Sequence, residues 1–526
     1  MSFGVIYVTF CLVFMIWALV ADRIKPGLIL FSVVVLFLCA GILSPKQCLE
    51  GFSNKGMITV ALLFLVSEGV RRSGVLERLI FSILPHDKCS DTSHGQSSLI
   101  KAKFKMLPVV SFISAFLNNT PVVVIFAPMI KNWCRKVHLS PTKFLIPLSY
   151  ATILGGVCTL IGTSTNLVVD GLIQESGREG MSMFELGKVG FIIATVGLIY
   201  LVFFSHFLLP EKREADIEED DKPHGVKMVE VVLRSRFPGL GSTLREFDFF
   251  RHYGGTVKSI RRNGEFLTGD WMNTKLQNHD TLMIETDEKF VSTWGESVVF
   301  LISSYDNNNE ILGKKKRWFA FFLLFFMVIG ATVGELPFMK ELVPGFKFDM
   351  FFFVCVTTVI MAWTGMFNPK KYSKFVSWDV LVTIACAFAI SKGMEESGFA
   401  DYIASFIIQA SQTIGKANGG VYAMMAILFI ITNLFTELIT NNAAAALSFP
   451  LALSMSKELG CDPMPFFVCI CMAASAAFST PIGYQTNLLV QGVGGYKFMD
   501  YVKVGLPLNI IVFLLSVFLI PQFWAF

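Results

Sequence analysis

Long apolar runs, separated by short and often basic segments, organise most of the chain. A hydrocarbon core of about 30 Å takes roughly 20 apolar residues as helix. Spans of that kind are predicted at about 3–21, 26–43, 56–72, 145–172, 188–209, 317–334, 348–366, 378–396, 465–491 and 503–522. Two further apolar stretches, about 104–131 and 421–454, carry polar clusters at their middles and read as re-entrant hairpins. Between 211 and 316 the pattern changes. An acidic linker (Glu211 to Asp221) leads to an alternating segment from Val226 to Leu233, a turn at Pro238-Gly239 and a helical pattern from Thr243 to Tyr253. Strand-like runs follow at Thr256–Ile260, Thr281–Glu285 and Val298–Ile302, so the insert reads as a small α+β domain.

Basic residues orient the spans. Arg23 and Lys25, then Arg71, Arg72 and Arg78, Lys101 to Lys105, Lys131 to Lys136, Lys314 to Arg317, and Lys370 to Lys374 all fall on one side if both termini are outside. The first hairpin then enters and leaves from the cytoplasm, the second does so from outside, and the insert is cytoplasmic. The first apolar run leads to Ala21-Asp22-Arg23 rather than a small-residue cleavage site, so it is expected to remain as a span of a cell-membrane protein.

Composition agrees with this reading. Of 526 residues, 53% are hydrophobic and 16% charged, with a mean hydropathy of +0.60. A soluble domain carries about 25% charged residues. The net charge of +4 is too small to suggest nucleic acid. The 11 cysteines lie scattered, without metal-ligand spacing, and read as small buried hydrophobes.

The chain also repeats itself. Phe52-Ser53 to Ser73-Gly74 matches Val376-Ser377 to Ser397-Gly398. Asn119 falls on Asn441, Pro128 on Pro450, and Ile161-Gly162 with Thr165-Asn166-Leu167 on Ile482-Gly483 with Thr486-Asn487-Leu488. Each copy holds five spans and one hairpin, and five is odd, so the second copy is expected to be inverted. The predicted fold is an α-helical polytopic membrane protein of two inverted repeats, 1–210 and 317–526, with the cytoplasmic domain and its linker at 211–316. This is a recurrent design of secondary transporters.

Four polar clusters fall where lipid depth is greatest: Asn118-Asn119-Thr120-Pro121, Gly162 to Asn166, Thr440-Asn441-Asn442, and Ser479 to Asn487. Helix-breaking residues free backbone groups that are tolerated at this depth only inside protein or along a wet cavity. Half-helix N-termini suit an anion and carbonyl ends suit Na⁺. The blander reading is that these residues cap and pack helices; their pairing by the repeat favours binding. Glu437, three residues before Thr440, could carry a proton, tune a cation site or bond a hairpin backbone. Glu68 and Lys392 read as local pairs, and Asp170 as structural.

On these residues the chain resembles the divalent anion:sodium symporter family, whose hairpin tips carry Ser-Asn-Thr. Here the tips read Asn118-Asn119-Thr120 and Thr440-Asn441-Asn442, keeping the central Asn and departing at the flanks. The resemblance implies that Asn118, Asn119, Thr120, Thr440, Asn441 and Asn442 bind substrate. It further implies sodium ligands among Asn119, Gly162, Thr163, Asn166, Asn441, Thr480 and Asn487, a homodimer, and rigid-body alternating access. The insert resembles a TrkA-C domain through Val231–Ser235, Pro238-Gly239, Thr243–Phe247 and His279–Leu282. Sodium-coupled symport of a small divalent anion is expected, sulfate before dicarboxylate, with proton-coupled exchange through Glu437 as the alternative. No cofactor beyond the coupling sodium is expected. A channel is disfavoured because no TVGYG-like filter is present. An enzyme and an ATP-driven pump are disfavoured because neither a metal or nucleophile–base motif nor a GxxxxGK[ST] loop appears.

Overall fold

The computed structural model describes residues 3–525 apart from 22, 77–94, 138, 212–226, 263–264, 268–270, 287–289, 291–293, 295–296, 298, 303–313, 335–347, 368 and 415–418. The acidic linker beyond Glu211, Arg78 and Val298 lie outside the described residues. The first half contains α1 (Phe3–Val20), α2 (Pro26–Cys39), α3 (Lys55–Arg72), α4 (Gly95–Ser114), α5 (Asn119–Lys136), α6 (Leu145–Gly156), α7 (Ser164–Glu175) and α8 (Gly187–Phe203). The second contains α9 (Lys314–Gly334), α10 (Met350–Trp363), α11 (Trp378–Glu396), α12 (Phe399–Ile414), α13 (Gly419–Leu438), α14 (Asn441–Leu459), α15 (Met464–Ser475), α16 (Gln485–Gly494) and α17 (Phe498–Phe523).

Several of these helices are long and apolar enough to cross a membrane, among them Phe3–Val20, Lys315–Gly334 and Phe498–Phe523. Large apolar side chains remain exposed along them, including Phe10, Trp17, Phe191, Trp318 and Phe518. Water would penalise such a surface and lipid does not. Helices α4 and α5 form one helical hairpin, and α13 and α14 a second. The arm α13 has 20 residues, roughly 30 Å of helix, yet the chain reverses within two residues after Leu438. The stretches read as 145–172 and 465–491 are each broken in two, as α6/α7 and α15/α16, with non-helical residues between.

Packing at the centre is close enough to demand glycine. A Cβ on Gly155 of α6 would stand 2.0 Å from the Ser111 carbonyl oxygen of α4, so the hairpin arm and the broken helix touch backbone to backbone. Flanking helices pack around this centre: α2 against α11, α3 against α10, and α9 against α10. Lys55 of α3 pairs with Asp349, whose carboxylate also caps α10 by accepting from Phe352 N–H at 3.1 Å. Arg317 donates to the Ser73 carbonyl at 2.9 Å. Glu68 pairs with Arg71 at 2.7 Å, Lys392 with Glu395 at 3.3 Å, and Asp170 accepts from Gln174 and Met181 N–H at 2.6 Å each. These three residues thus take the local roles expected of them. Helix α12 was absent from the expected elements. Its polar Asp401, Gln409 and Ser411 interrupt the apolar run without ending the helix.

The insert is an antiparallel sheet in the order β3-β2-β4-β1-β5, with β1 Lys227–Leu233, β2 Thr256–Arg262, β3 Glu265–Phe266, β4 Thr281–Thr286 and β5 Phe300–Ile302. Val229, Val231, Ile260, Leu282 and Ile284 form its core with Phe237, Phe249 and Phe300. The helix expected over Thr243–Tyr253 is confined to Phe249–Tyr253. Thr243 bridges Lys275, and the residues after it make one turn, with Phe247 N–H on the Thr243 carbonyl at 2.9 Å and Thr243 and Glu246 capping each other, before the chain leaves the helical path. Asp248 starts the short helix by accepting from Arg251 N–H at 3.1 Å. Arg262 donates two 2.8 Å bonds to the Asp280 carboxylate, which raise the pKa of its guanidinium above the ordinary value.

Gly155→Ala is expected to cost about 1–3 kcal/mol by overpacking, read as a lower melting midpoint in detergent, whereas Gly4→Ala, whose Cβ would meet nothing nearer than 3.5 Å, should shift it far less.

Candidate functional site

Each hairpin tip and each break is the start of a helix. α5 begins at Asn119, α7 at Ser164, α14 at Asn441 and α16 at Gln485. Side-chain bonds bring these four N-termini together. Asn442 Oδ1 accepts from Ser164 at 3.2 Å and from Thr165 at 3.1 Å. The Tyr484 hydroxyl lies 2.8 Å from the Asn119 amide and 3.0 Å from Thr163 Oγ1. Thr120 donates to Gln485 Oε1 at 3.4 Å. The Asn119 amide is placed by its neighbours. With its NH₂ toward the carbonyls of Thr152 (3.1 Å) and Gly162 (3.2 Å), its oxygen accepts from Tyr484. The walls are largely buried, while Asn118, Thr120, Ser164, Thr440, Thr480 and Tyr484 are half-buried and Gln485 is exposed. Among the described residues, no hydrogen bond holds the Asn118 side chain, so its amide is available to a ligand.

The two breaks are built alike. Asn166 Nδ2 donates to the carbonyls of Gly156 (3.3 Å) and Thr159 (2.9 Å); Asn487 Nδ2 donates to those of Ala477 (2.9 Å) and Thr480 (3.2 Å). Gly162 N–H bonds Thr159 Oγ1 at 3.1 Å, and Gly483 N–H bonds Thr480 Oγ1 at 3.0 Å. Thr159 and Thr480 in turn donate to the carbonyls of Ala115 and Glu437, near the ends of the two hairpin arms. Ser114 bonds Asn119 at 2.7 Å, and Thr436 bonds Asn441 at 3.1 Å. Every one of these pairs is displaced along the chain by 321 or 322 residues. Gly162 has no room for a side chain: a Cβ there would lie 2.6 Å from the Gly156 carbonyl oxygen.

This geometry sorts the expected site residues. Asn118, Asn119, Thr120, Thr440, Asn441, Asn442, Gly162 and Thr163 come together at the tips and breaks. Asn487 has its polar atoms committed, with Oδ1 accepting from Ser149 at 2.7 Å, which makes it a staple across the break. Thr480 is likewise engaged through its hydroxyl. Asn166 keeps a buried Oδ1 without a partner. Glu437 Oε1 accepts from Ser479 N–H (2.8 Å) and Asn509 (2.7 Å), while Oε2 is buried near Thr480 and Gly483 and, among the described residues, accepts no hydrogen bond of good geometry. Tyr484 and Gln485 are central and were not expected. They stand where the first half has Thr163 and Ser164, inside the polar cluster Ser479–Asn487, and the signal for them was that cluster together with the mismatch of residue types.

A family model described as a citrate transporter matches residues 12–354 and 338–526. The chain is similar to an uncharacterized transporter of Synechocystis sp., at 28% identity over 93% of this chain and 92% of that one. It is also similar to sodium/sulfate cotransporter 1 of Chlamydomonas reinhardtii, at 22% identity over 98% of this chain and 89% of that one. Among solved structures, the YdaH transporter of Alcanivorax borkumensis superposes with a TM-score of 0.50 at 11% identity, covering 91% of this chain and 87% of that one.

Asn487→Ala removes the donor to two buried carbonyls. An unsatisfied buried group costs about 1–3 kcal/mol, so the melting midpoint should fall, and Asn166→Ala should lower it in the same direction.

Proposed function

The chain belongs to the citrate transporter family and is an integral membrane secondary transporter of the divalent anion:sodium symporter type, and from that premise we propose that it moves a small divalent anion together with sodium, with sulfate the first candidate and a dicarboxylate the second. It is a transporter and not an enzyme. The observation that carries the reading is the meeting of four helix N-termini at half-buried Asn, Thr, Ser and Tyr groups. Helix N-termini present unpaired N–H groups and a partial positive charge, so an anion can be held without a basic side chain. Asn118 and Thr120 from one tip and Thr440 and Asn442 from the other are the contacts assigned to it. Sodium is assigned to the carbonyls and hydroxyls around the breaks, near Gly162 and Thr163 on one side and Asn441 and Thr480 on the other, with Asn119 between.

In this reading the two halves are inverted repeats. The hairpins, the broken helices, α8 and α17 move as one body against α1–α3 and α9–α11, and two copies of the chain assemble as a dimer. The insert is taken as a TrkA-C-like domain on the cytoplasmic side of a plasma or inner membrane, with both termini outside. The recurrence of the same bonds 321 or 322 residues apart supports the repeat.

Uptake of labelled sulfate and succinate into proteoliposomes, with and without a sodium gradient, tests the proposal. Sodium-stimulated uptake of one, competed by the other, is expected; uptake of neither, with no sodium dependence, would overturn it. Tyr484→Phe removes the hydroxyl shared by Asn119 and Thr163 and should raise KM roughly five- to tenfold, about 1 kcal/mol, with the fold intact.

The buried Glu437 Oε2 favours one second reading, in which a proton replaces a sodium ion. Glu437→Gln would then flatten the dependence of uptake on pH; a pH profile identical to that of the parent protein would exclude the proton.

A further inference from the structure

Two helices that begin at the candidate site end beneath the insert. α5 runs from Asn119 to Lys131 over roughly 18 Å, and α16 from Gln485 to Val493 over roughly 12 Å, and the two pack against each other. At the far end of α5, Lys131 Nζ meets Glu230 Oε2 of β1 at 2.7 Å, with both side chains almost fully buried. At the far end of α16, a row of three residues in register across the sheet makes the contact. Val232 of β1 stands opposite Thr281 of β4, and Thr281 opposite Arg261 of β2. Val232 packs on Gly492, Thr281 Oγ1 donates to the Gly492 carbonyl at 3.4 Å, and Arg261 Nη2 donates to the Val493 carbonyl at 3.5 Å.

The chemistry suits the place. A helix leaves its last carbonyls without intrahelical partners, and α16 ends on Gly495 in the left-handed conformation. Thr281 and Arg261 take up two of those carbonyls, and the guanidinium sits at the negative end of the helix dipole. Alternation along β1 turns Val229 and Val231 into the insert's own core and leaves Glu230 and Val232 facing the membrane part. Removing either partner of a buried ion pair leaves the other charge uncompensated, so the insert is fastened and not merely tethered. The ion pair and the two hydrogen bonds just named land on α5 and α16.

We propose that the insert is a clamp on the anion-carrying body: it fixes the far ends of α5 and α16, thereby setting the Asn119–Tyr484 spacing at their near ends, and it travels with that body through the transport cycle. Glu230, Arg261 and Lys131 are then positioning residues. The travelling part rests on the proposed motion of hairpins and broken helices; the clamping part does not.

Two experiments test it. Amide exchange needs no substrate. Glu230→Ala is expected to raise exchange at least several-fold in 119–136 and 485–494, but not in α1 and α2, and Lys131→Met/Glu230→Met should restore protection. Unchanged exchange in both helices, or a rise spread evenly over the molecule, overturns the clamp. For the motion, Val232→Cys/Gly492→Cys can be oxidised, since a Cβ on Gly492 lies 3.6 Å from that of Val232, within disulfide range. In a cysteine-depleted background, sodium-driven sulfate uptake by the bridged form should stay within twofold of the reduced form; loss of uptake on oxidation alone overturns the shared travel. A bismaleimide tie between Glu395→Cys of α11 and Lys457→Cys of α14, whose exposed side chains pair at 2.8 Å, should stop uptake. If that tie is harmless, the proposed motion fails and the shared travel with it, while the exchange result still decides the clamp.

Discussion

Opening a helix in apolar surroundings is the constraint on which everything else here depends. Each break between α6 and α7, or α15 and α16, frees backbone N–H and C=O groups that lipid cannot satisfy, at several kcal/mol for each group left bare. Asn166 and Asn487 meet that demand by donating back across the break, and Thr159 and Thr480 tie the break to its hairpin. The same breaks aim α7 and α16 N-terminus first at the candidate site. The residues that stabilise each break therefore also set where its helix starts, and a break cannot be mended without losing that helix N-terminus.

The two halves share this construction but not its decoration. Where the first half has Ala115, Thr163 and Ser164, the second has Glu437, Tyr484 and Gln485. The larger Tyr484 reaches back to Asn119 and Thr163, so the second half closes over the first at that point. The only carboxylate beside a break among these paired positions is on the second side, at Glu437. A cation near Thr436 and Asn441 would feel a charge that its counterpart near Ser114 and Asn119 would not.

Much of this was legible in the sequence because polar clusters inside apolar runs are expensive and therefore informative. Asn118-Asn119-Thr120, Gly162–Asn166, Thr440–Asn442 and Ser479–Asn487 announce tips and breaks, and four of the insert's five strands follow alternation. Other features were not legible for physical reasons. Helix α12 carries enough polar residues to fall below a span's hydropathy. Thr243–Phe247 has helical spacing and does make one capped turn, but the bridge of Thr243 to Lys275 fixes its start on the sheet and a helix begins only at Phe249. Composition cannot tell a staple from a binding group, so the bonds of Asn487 to Ala477, Thr480 and Ser149, which tie the break together, could not be read from the sequence. The Lys131–Glu230 contact joins residues 99 apart, and nothing local marks either one.

The stitching between halves also constrains how the protein is made. Asn119 and Thr163 find Tyr484 more than 300 residues later, Ser149 finds Thr486 and Asn487, and Thr165 finds Asn442. Until the ribosome has delivered residues near 487, the first tip is held only by partners of its own half, such as Ser114 on Asn119. Assembly of the centre is therefore completed late, when the second half supplies the partners of Ser149, Thr163 and Thr165.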